Sequence, residues 1–352
     1  MVVFDGYPDI PTTKDTTHIR RRSSKTGRSV NVTPLMKLNM SKESFQSVLK
    51  NKDLFNKKLV EHINKQNYGL SAIQAECDAD YLVVKTAVSL SSQNEVVVIS
   101  EDTDILFLLL HHANTNYQKI FLTWEAKTSC KTPPKIWDIF ETKYSLGIAV
   151  CENILPVHAL LGCDTTSRIH GIGKGTTLRK FEKDANFREK LSIFSKSNCS
   201  INEIAENGES IVSMLYGSSD TDDLGSMRYA IFCKKLATNT KVIVPEVLPP
   251  TSDALKWHSL RVYHQVQAWK GIALNTEEWG WICKGKFLLP KLMSQPAGPA
   301  ELLKVIRCNC KTDCGTSRCS CYKHNLKCSA MCGVCKGVSC LNHQDRDFEN
   351  PV

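Results

Sequence analysis

Nine cysteines crowd into the C-terminal part of this sequence, and they constrain its folding more than any other feature does. The chain has 16 cysteines, and nine of them fall between Cys308 and Cys340. So short a segment has too few apolar residues for a stable core, so it needs covalent or metal cross-links. The nine residues are Cys308, Cys310, Cys314, Cys319, Cys321, Cys328, Cys332, Cys335 and Cys340.

The start of the chain favours metal over disulfides as the cross-link. It lacks the charged start and apolar segment of a secretory signal, so we expect a compartment in which cysteines stay reduced. Nine thiolates satisfy three tetrahedral zinc ions if six bind one ion each and three bridge two ions. The alternatives are a disulfide framework and a redox pair formed by Cys332 and Cys335. We therefore predict a three-zinc cluster whose folding depends on the metal.

Length and composition exclude several classes of protein. The 352 residues include 45 Lys and Arg against 36 Asp and Glu, a net charge of +9, and 42% of them are hydrophobic. This length favours two domains, or one large and one small domain. The apolar fraction is enough for a sizeable core, which excludes a wholly disordered chain. No stretch approaches the roughly 20 apolar residues of a membrane-spanning helix, so no membrane partner is expected.

Apolar runs and amphipathic stretches alternate along the first half of the chain. Residues 95–100 and 119–124 read as buried strands, and helices are predicted around 81–90, 136–144 and 154–161. Parallel strands buried on both faces have such continuous apolar sequences. The alternation therefore predicts an α/β fold with a parallel sheet.

The chain divides into three predicted regions. Residues 1–183 are expected to form the α/β domain, 184–300 a helical extension with a tryptophan-rich subdomain, and 305–343 the zinc module. Four tryptophans mark the middle region, and we interpret them as buried packing rather than a base-stacking surface. They are Trp257, Trp269, Trp279 and Trp281.

Aspartates recur where predicted strands and helices meet. In open α/β sheets, ligands bind beyond the carboxyl ends of the strands. Carboxylates grouped there repel one another unless a hard divalent cation neutralises them. Taken singly, each aspartate is more typical of a helix cap or a solvated turn. The four motifs are Phe4-Asp5-Gly6, Asp78-Ala79-Asp80, Glu101-Asp102-Thr103-Asp104 and Gly162-Cys163-Asp164.

These motifs resemble, in order, those of the flap-endonuclease/XPG-type structure-specific 5′ nucleases, within the PIN-like superfamily. The opening V-F-D-G-Y-P is similar to the family's V-F-D-G-x-P strand end, and residues 75–80 resemble its A-P-x-E-A-E/D motif. Residues 100–104 resemble its S/T-E-D-x-D motif, and 161–164 its L-G-x/C-D motif. The G-I-G segment at 171–173 resembles the helix-hairpin-helix with which the family contacts DNA.

The resemblance implies a PIN-like, flap-nuclease-like parallel sheet and Mg²⁺-dependent hydrolysis of DNA. It implies Lys14 and Arg21 as the side chains that engage the scissile phosphate, and Gly171 and Gly173 as the contact with the DNA backbone. Glycines allow close approach to a phosphate, and a helix N-terminus favours the anion. Two Mg²⁺ ions would be held by Asp5, Asp78, Asp80, Asp102, Asp104 and Asp164.

One element of the family is missing from this sequence. The family begins with an earlier strand that carries another aspartate ligand, whereas Met1 lies on the second conserved strand. We therefore expect an N-terminally truncated nuclease domain, either a fragment or a fold that has lost this strand and ligand. A fold without this ligand could keep its architecture and lose catalysis, as is plausible for a transposon-derived gene.

The cysteine module resembles the tesmin-type CXC domain and its relatives, which are zinc-dependent DNA-binding units. The likeness lies in Arg318-Cys319-Ser320-Cys321-Tyr322-Lys323 and in Cys340-x-Asn342. Between residues 307 and 342, six Lys and Arg oppose one Asp, a net charge of +5. Such a basic module favours the phosphates of nucleic acid. A DNA partner in turn predicts residence in the nucleus.

Together these patterns predict a DNA-binding protein with a structure-specific nuclease-like domain. If active, it would hydrolyse phosphodiesters by a two-metal mechanism. One alternative is a catalytically inactive, transposon-derived or chromatin-associated protein that binds DNA through the zinc module. Another is a PIN-type ribonuclease, although the hairpin segment favours duplex DNA over RNA.

Overall fold

The computed structural model divides the chain into two compact units. The first comprises Met1–Asp220 and Leu255–Leu292, and the second comprises Thr221–Ala254 and Met293–Val352. The described residues are 1–22, 27–33, 35–66, 69–124, 135–217, 223–238, 245–298, 307–311, 314–323, 326–329, 332–338 and 340–343. The predicted regions 1–183, 184–300 and 305–343 stay predictions, because compactness in space does not define where one sequence module ends.

The first unit is mixed α/β, with short strands between longer helices. Its described strands are β1 (Val2–Phe4), β2 (Ala72–Gln74), β3 (Val96–Ile99), β4 (Ile120–Thr123), β5 (Trp137–Asp138), β6 (Trp281–Lys284) and β7 (Phe287–Pro290). Its described helices are α1 (Asp15–Arg22), α2 (Lys42–Gln46), α3 (Leu49–Lys65), α4 (Asp80–Ser91), α5 (Thr103–His112), α6 (Ile139–Leu146), α7 (Ile148–Glu152), α8 (Ile154–Leu160), α9 (Lys174–Lys183), α10 (Ala185–Ser192), α11 (Ile201–Leu215) and, from Leu255 onward, α13 (Ser252–Trp269).

The elements predicted from periodicity are present in the structure. The predicted strands 95–100 and 119–124 correspond to β3 and β4, and the predicted helices 81–90, 136–144 and 154–161 correspond to α4, α6 and α8. Their ends lie within three residues of the predicted ends, because hydrophobic patterning locates an element better than its termini.

The sheet is more divided than the sequence predicts. β1 pairs in parallel with β2, and β3 pairs in parallel with β4, which also pairs antiparallel with β5. β6 and β7 form an antiparallel hairpin. These pairs belong to three separate sheets in the described part of the chain. A single parallel sheet is therefore not what the described residues form, since strands this short offer few ladder hydrogen bonds to join the pairs.

Strand β3 is also less buried than its sequence suggests. Val98 is 7% exposed, whereas Val97 and Ile99 are 60% and 65% exposed. Helix α4 packs against β3 and β4, so only one face of this strand is well covered. The expectation of burial on both faces is wrong here, because a continuous apolar run does not by itself supply helices for each face.

The core of the first unit is built mainly from helices. Leu108 of α5, Leu155 of α8, Ile211 of α11 and Val266 of α13 are fully buried. Burial of each such side chain contributes about 1.5–3 kcal/mol before entropy costs. The helices that begin or end at the acidic motifs are therefore anchored in the best-packed part of the molecule.

Three of the four tryptophans in the tryptophan-rich region are buried inside the first unit. Trp269, Trp279 and Trp281 are buried, and Trp257 is half-buried. The Trp279 ring lies against the Tyr263 ring, with 4.5 Å between centroids. The interpretation of these aromatics as packing rather than as a base-stacking surface is confirmed for the three buried residues.

A buried aspartate ties the end of the first unit to its beginning. The Oδ2 atom of Asp15 accepts hydrogen bonds from the N–H of Leu288 at 2.9 Å and from the N–H of Thr12 at 3.1 Å. Its Oδ1 atom accepts one from the Thr12 hydroxyl at 2.9 Å. Strand β7 is thereby joined to the start of α1, the helix that follows Lys14.

The second unit contains α12 (Leu224–Thr238), α14 (Ser320–Lys323) and the cysteine module. The described cysteines of the chain are all free thiols. The Sγ atoms of Cys321 and Cys332 are 3.5 Å apart, far beyond a disulfide bond length of about 2.05 Å. Across the described residues of both units, no helix has the length and apolar character needed to cross a bilayer.

Candidate functional site

Asp5 follows β1 directly and contacts the second acidic motif, residues 78–80. Its Oδ1 atom accepts a hydrogen bond from the N–H of Ala79 at 3.1 Å. Gly6 allows this approach, because a Cβ atom at that position would overlap the carbonyl oxygen of Ala75. The Asp-Gly pair therefore brings the first motif against the second.

Lys14 lies among the carboxylates of the second and fourth motifs. Its Nζ atom is 2.7 Å from Oδ2 of Asp78, 3.3 Å from Oδ2 of Asp80 and 3.9 Å from Oδ2 of Asp164. Asp78 and Asp80 follow β2, and Asp164 follows α8. One ammonium group thus lies within 4 Å of three carboxylates from separate parts of the sequence, and the side chain of Lys14 is only 19% exposed.

The third motif forms the N-terminus of α5. Asp102 is its N-cap, and Asp102 Oδ1 accepts a hydrogen bond from the N–H of Asp104 at 2.9 Å. Asp104 is 8% exposed, and its Oδ1 accepts a hydrogen bond from Nε2 of His158 at 2.7 Å. Asp102 therefore has the capping role typical of a single aspartate, whereas Asp104 is held by a side chain from α8.

The fourth motif depends on a glycine with a positive φ. Gly162 has φ = +108°, and a Cβ atom there would lie 2.7 Å from Cγ of Arg168. The carbonyl oxygen of Asp164 accepts a hydrogen bond from the Thr17 hydroxyl at 2.8 Å. Because Thr17 lies on α1, this bond holds the Asp164 loop beside the helix that Lys14 precedes.

The crowding of charge shifts several pKa values. Burial opposes the charged form of Lys14, but the carboxylates of Asp80 and Asp78 outweigh burial and raise the pKa of Lys14. Burial raises the pKa of Asp80 to about 8; Lys14 opposes this shift, while the negative charges of Asp78, Asp102 and Asp104 add to it. This response is expected where carboxylates outnumber the cations near them.

The Asp104–His158 pair responds differently. Burial would raise the pKa of Asp104, but the hydrogen bond and charge of His158 lower it below its ordinary value. Burial lowers the pKa of His158, with Asp104 acting in the opposite direction. The pKa of Asp104 is therefore lowered, whereas burial raises the pKa values of its neighbours Asp80 and Asp102.

A cleft of about 370 Å³ opens beside the acidic motifs, and its volume is in the range of small-ligand sites. The Nζ atom of Lys52 lies 5.4 Å from the Tyr7 ring centroid, and the His18 ring meets Tyr7 edge-on at 6.1 Å. The cleft therefore combines acidic, basic and aromatic groups. Its charged and aromatic lining residues include Asp5, Tyr7, Lys14, Asp15, His18, Glu43, Lys52 and Asp78.

The donor set suits hard divalent cations. Carboxylate oxygens are the protein ligands that Mg²⁺ prefers, and Mg²⁺ keeps several waters, so it needs few of them. In the described part of the chain, the groups whose ligand atoms all lie within 4.8 Å of one another consist of cysteines. The aspartates thus face one region without forming a closed cage, and Lys14 supplies positive charge where a cation would be required.

The remaining predicted contacts lie on either side of this region. Arg21 belongs to α1, and its side chain lies outside the described part of the structure. Gly171 has φ = +75°, which favours glycine, and Gly173 is the N-cap of α9. A Cβ atom added at Gly171 or Gly173 would meet no described atom within 4 Å, so the backbone of this loop is open to a ligand.

The predicted cysteine cluster is present in the second unit. Sγ of Cys308 lies 3.8 Å from Cys314, 3.7 Å from Cys328 and 3.8 Å from Cys335. Eight of the nine cysteines are buried, and Cys310 packs against them. Asn342 closes one side: its Nδ2 donates to the carbonyl oxygen of Leu326 at 2.8 Å and approaches Cys328 Sγ at 3.5 Å.

The cysteine sets fit a metal cluster with shared ligands. Three groups of four have Sγ atoms within 4.8 Å of one another, and Cys308 belongs to all three. Burial opposes the thiolate of Cys319, but backbone and thiol hydrogen bonds outweigh burial and lower its pKa to about 7. Thiolates are the form that binds zinc. The groups are Cys308, Cys314, Cys328 and Cys335; Cys308, Cys310, Cys314 and Cys319; and Cys308, Cys319, Cys321 and Cys328.

Sequence reasoning missed two residues that organise the acidic region. His158 was part of a predicted apolar helix, and the signal that could have found it is a single histidine in the run Ile154–Leu160. Asp15 follows Lys14, and only the tertiary pairing of α1 with β7 reveals its role. Neither residue belongs to an acidic motif, so motif matching alone passes over both.

Comparisons with known proteins add a structural neighbour and no family. A solved structure of flap endonuclease-1 from Methanococcus jannaschii matches over 76% of this chain and 75% of that chain, with 17% sequence identity and a TM-score of 0.30. No family model matches the chain, and no curated protein does. A likeness at this level carries no functional argument, so the nuclease and CXC resemblances remain hypotheses that depend on the motifs and the geometry.

Proposed function

We propose that the first unit is a Mg²⁺-dependent phosphodiesterase of flap-endonuclease type that acts on DNA, and that the cysteine module is a zinc-dependent DNA-binding unit. One observation carries the proposal: Asp78, Asp80 and Asp164, from separate parts of the chain, lie within 4 Å of a single cationic atom, Lys14 Nζ. Carboxylates that lie this close together repel one another and destabilise the fold unless a cation binds between them.

In this proposal two divalent ions are held by Asp5, Asp78, Asp80, Asp102, Asp104 and Asp164. When bound, such ions activate an attacking water and stabilise the leaving oxygen at phosphorus. Lys14 and Arg21 would neutralise charge on the phosphate, and Lys14 would exchange its carboxylate partners for that phosphate. The loop containing Gly171 and Gly173 would act as the helix-hairpin-helix and bind the DNA backbone through its open main chain.

The cysteine module would hold three zinc ions through nine thiolates and supply a second DNA contact. The buried Sγ atoms and their overlapping sets support shared ligands. The net charge of +5 between residues 307 and 342 supports attraction to phosphates. Because both proposed activities need DNA, residence in the nucleus is part of the proposal.

The test is hydrolysis of a 5′-flap DNA duplex in Mg²⁺ by the full, zinc-loaded chain. We expect Asp102→Asn and Asp164→Asn to lower the rate by more than about 100-fold, because each removes charge that would hold an ion. Asp9→Asn, at an exposed position outside the acidic motifs, is the control and should leave the rate unchanged. A background rate that is equal in the wild type and Asp102→Asn would disprove the enzyme.

A second candidate function is non-catalytic DNA binding on the same scaffold. The observation that favours it is the position of Lys14, whose ammonium group lies between Asp78 and Asp80 where a metal ion would bind. This candidate predicts DNA binding that is insensitive to Mg²⁺ and to Asp102→Asn, without hydrolysis. An RNA flap of the same sequence, compared at the same salt concentration, separates both candidates from a ribonuclease.

A further inference from the structure

His158 contacts an aspartate of the acidic motifs from within the helical core. It lies on α8, is 1% exposed, and its Nε2 atom is 2.7 Å from Oδ1 of Asp104 on α5. This distance is that of a short, charge-assisted hydrogen bond. The contact joins two helices of the core at a carboxylate proposed above to hold a metal ion.

Two aromatic rings fix the orientation of this histidine. Phe107 stacks on the imidazole at 4.0 Å with an interplanar angle of 10°, and Trp269 lies on its other side at 5.4 Å and 19°. Phe107 is one helical turn after Asp104, so the carboxylate and the stacking ring come from the same face of α5. The imidazole therefore has little freedom to rotate away from Asp104.

The second ring nitrogen shows which atom carries the proton. Nδ1 of His158 is buried and has no hydrogen-bond partner among the described residues. The tautomer with hydrogen on Nε2 satisfies the carboxylate, and it leaves on Nδ1 only a lone pair rather than an unpaired donor. Nε2 thus donates to Oδ1, while Oδ2 of Asp104 accepts no hydrogen bond from the described residues.

We propose that His158 is a positioning residue, which holds Oδ1 of Asp104 so that Oδ2 is directed toward a divalent cation. The inference rests on the proposed function, because it assigns a partner to one of the proposed ligands. Hydrogen bonds of this kind orient metal-binding carboxylates, and their loss typically weakens metal affinity 10–100-fold. The competing explanation is that His158 only fills space between Phe107 and Trp269.

Two substitutions separate these explanations. His158→Gln retains an N–H donor near the position of Nε2, whereas His158→Leu retains apolar volume and removes the donor. Electron paramagnetic resonance measures the affinity of the full, zinc-loaded chain for Mn²⁺. The part of this binding that Asp102→Asn removes is assigned to the acidic region. We expect His158→Leu to weaken this binding about tenfold, and His158→Gln to stay within about threefold of the wild type.

The outcomes distinguish this inference from the proposal on which it rests. Mn²⁺ binding that is absent, or unaffected by Asp102→Asn, overturns both. Binding that depends on Asp102 but is equal in the wild type and His158→Leu overturns only the role of His158.

A measurement on the wild type covers the case in which His158→Leu fails to fold. Magnesium titration of ¹⁵N-histidine-labelled protein should shift the His158 Nε2 resonance in a saturable way, because a bound cation draws electron density from Asp104. If the His158 Nε2 resonance does not move while Mn²⁺ binding is intact, the positioning role is overturned.

Discussion

At the scale of single residues, the most informative side chain is Lys14. Its amine lies within 4 Å of three aspartates, and only 19% of its side chain is exposed. Water has little access to the carboxylates around this enclosed ammonium group. Lys14 therefore stabilises the fold, in addition to any role in binding a phosphate. An added divalent cation could replace Lys14 in stabilising the fold, but not in binding a phosphate.

Lys14→Met tests this dual role. In chelator, we expect the free energy of unfolding to fall by about 2–3 kcal/mol, because removing one partner leaves buried carboxylates unpaired. Added Mg²⁺ or Mn²⁺ should restore much of the loss, since a cation can replace the ammonium. Denaturant titration followed by tryptophan fluorescence measures both effects.

The matched control is Lys57→Met on α3. Lys57 pairs with Asp53 at 2.6 Å, but its side chain is 59% exposed, and such pairs contribute at most about 1 kcal/mol. The free energy of unfolding should fall only slightly in Lys57→Met, and added metal should not change it. Equal effects of the two substitutions, or no recovery of Lys14→Met in Mg²⁺, would contradict the interpretation.

At the scale of elements, strand β7 and helix α1 depend on each other although they lie at opposite ends of the first unit's sequence. Asp15 joins them through the N–H of Leu288. This bond also fixes the start of α1, and with it Lys14. The hairpin of β6 and β7 is therefore part of the support of the acidic region.

Asp15→Asn should weaken that support. An amide offers one acceptor oxygen where the carboxylate accepts three hydrogen bonds, and its NH₂ group would face donors. We expect a loss of about 1.5–3 kcal/mol, the value of a hydrogen bond to a charged group, with faster hydrogen exchange at the Leu288 amide. Asp9→Asn, in an exposed loop, should change neither quantity. Unaltered protection of Leu288 would show that Asp15 does not hold β7.

The same elements show how far the sequence could predict this structure. Strands β3 and β4 and helices α4 and α8 follow from local hydrophobic patterning. Of the aspartates in the motifs, Asp78, Asp80 and Asp164 lie within 4 Å of Lys14 Nζ, and the shared metal site stays a prediction. The division into three sheets and the exposure of Val97 and Ile99 depend on which elements cover each face, which local patterning does not encode. The role of His158 could not be predicted from the sequence, because it depends on contacts with Asp104, Phe107 and Trp269 on other helices.

At the scale of the whole molecule, the two units can be observed separately. All six tryptophans lie within the residues of the first unit, whereas the clustered cysteines lie in the second. Tryptophan fluorescence therefore follows the first unit, and zinc release follows the second. The next two predictions use this separation.

Zinc content is the first of these. We expect about three zinc ions per chain, with chelation removing them and unfolding the cysteine module without changing tryptophan fluorescence. Cys328→Ser should lower the zinc content, because Cys328 Sγ lies within 3.7 Å of both Cys308 and Cys319. Cys283→Ser, at an exposed position outside the cluster, should not. Elemental analysis that finds no zinc in the wild type would reject the metal cluster.

Two buried histidines of the first unit make a contribution to stability that should be lost in mild acid. Burial lowers the pKa of His258 and of His264 to about 4, against about 6.5 in an unfolded chain. Since the unfolded state binds more protons at these two histidines, their contribution to stability is complete above pH 6.5 and is lost as pH falls toward 4, by about 3 kcal/mol for each histidine. Asp80, whose pKa burial raises to about 8, acts in the opposite direction, so His258 is isolated by its own variant. Urea titrations by tryptophan fluorescence at several pH values measure the slope.

His258→Gln should flatten this dependence while keeping a donor for the carbonyl oxygen of Leu160, which Nε2 of His258 contacts at 2.9 Å. His62→Gln, on the exposed side of α3, should leave the slope unchanged. A pH dependence that is the same in all three proteins would assign the acid sensitivity to other groups.

The central position of Cys308 has a consequence for how the cysteine module acquires its metal. A thiolate that bridges two ions of a cluster links their occupancies, because the first ion to bind orders the chain and leaves the shared thiolate in place for the second. Chains supplied with too little zinc should then separate into empty and fully loaded populations, with few partly loaded molecules between them. Native mass spectrometry would count those species directly.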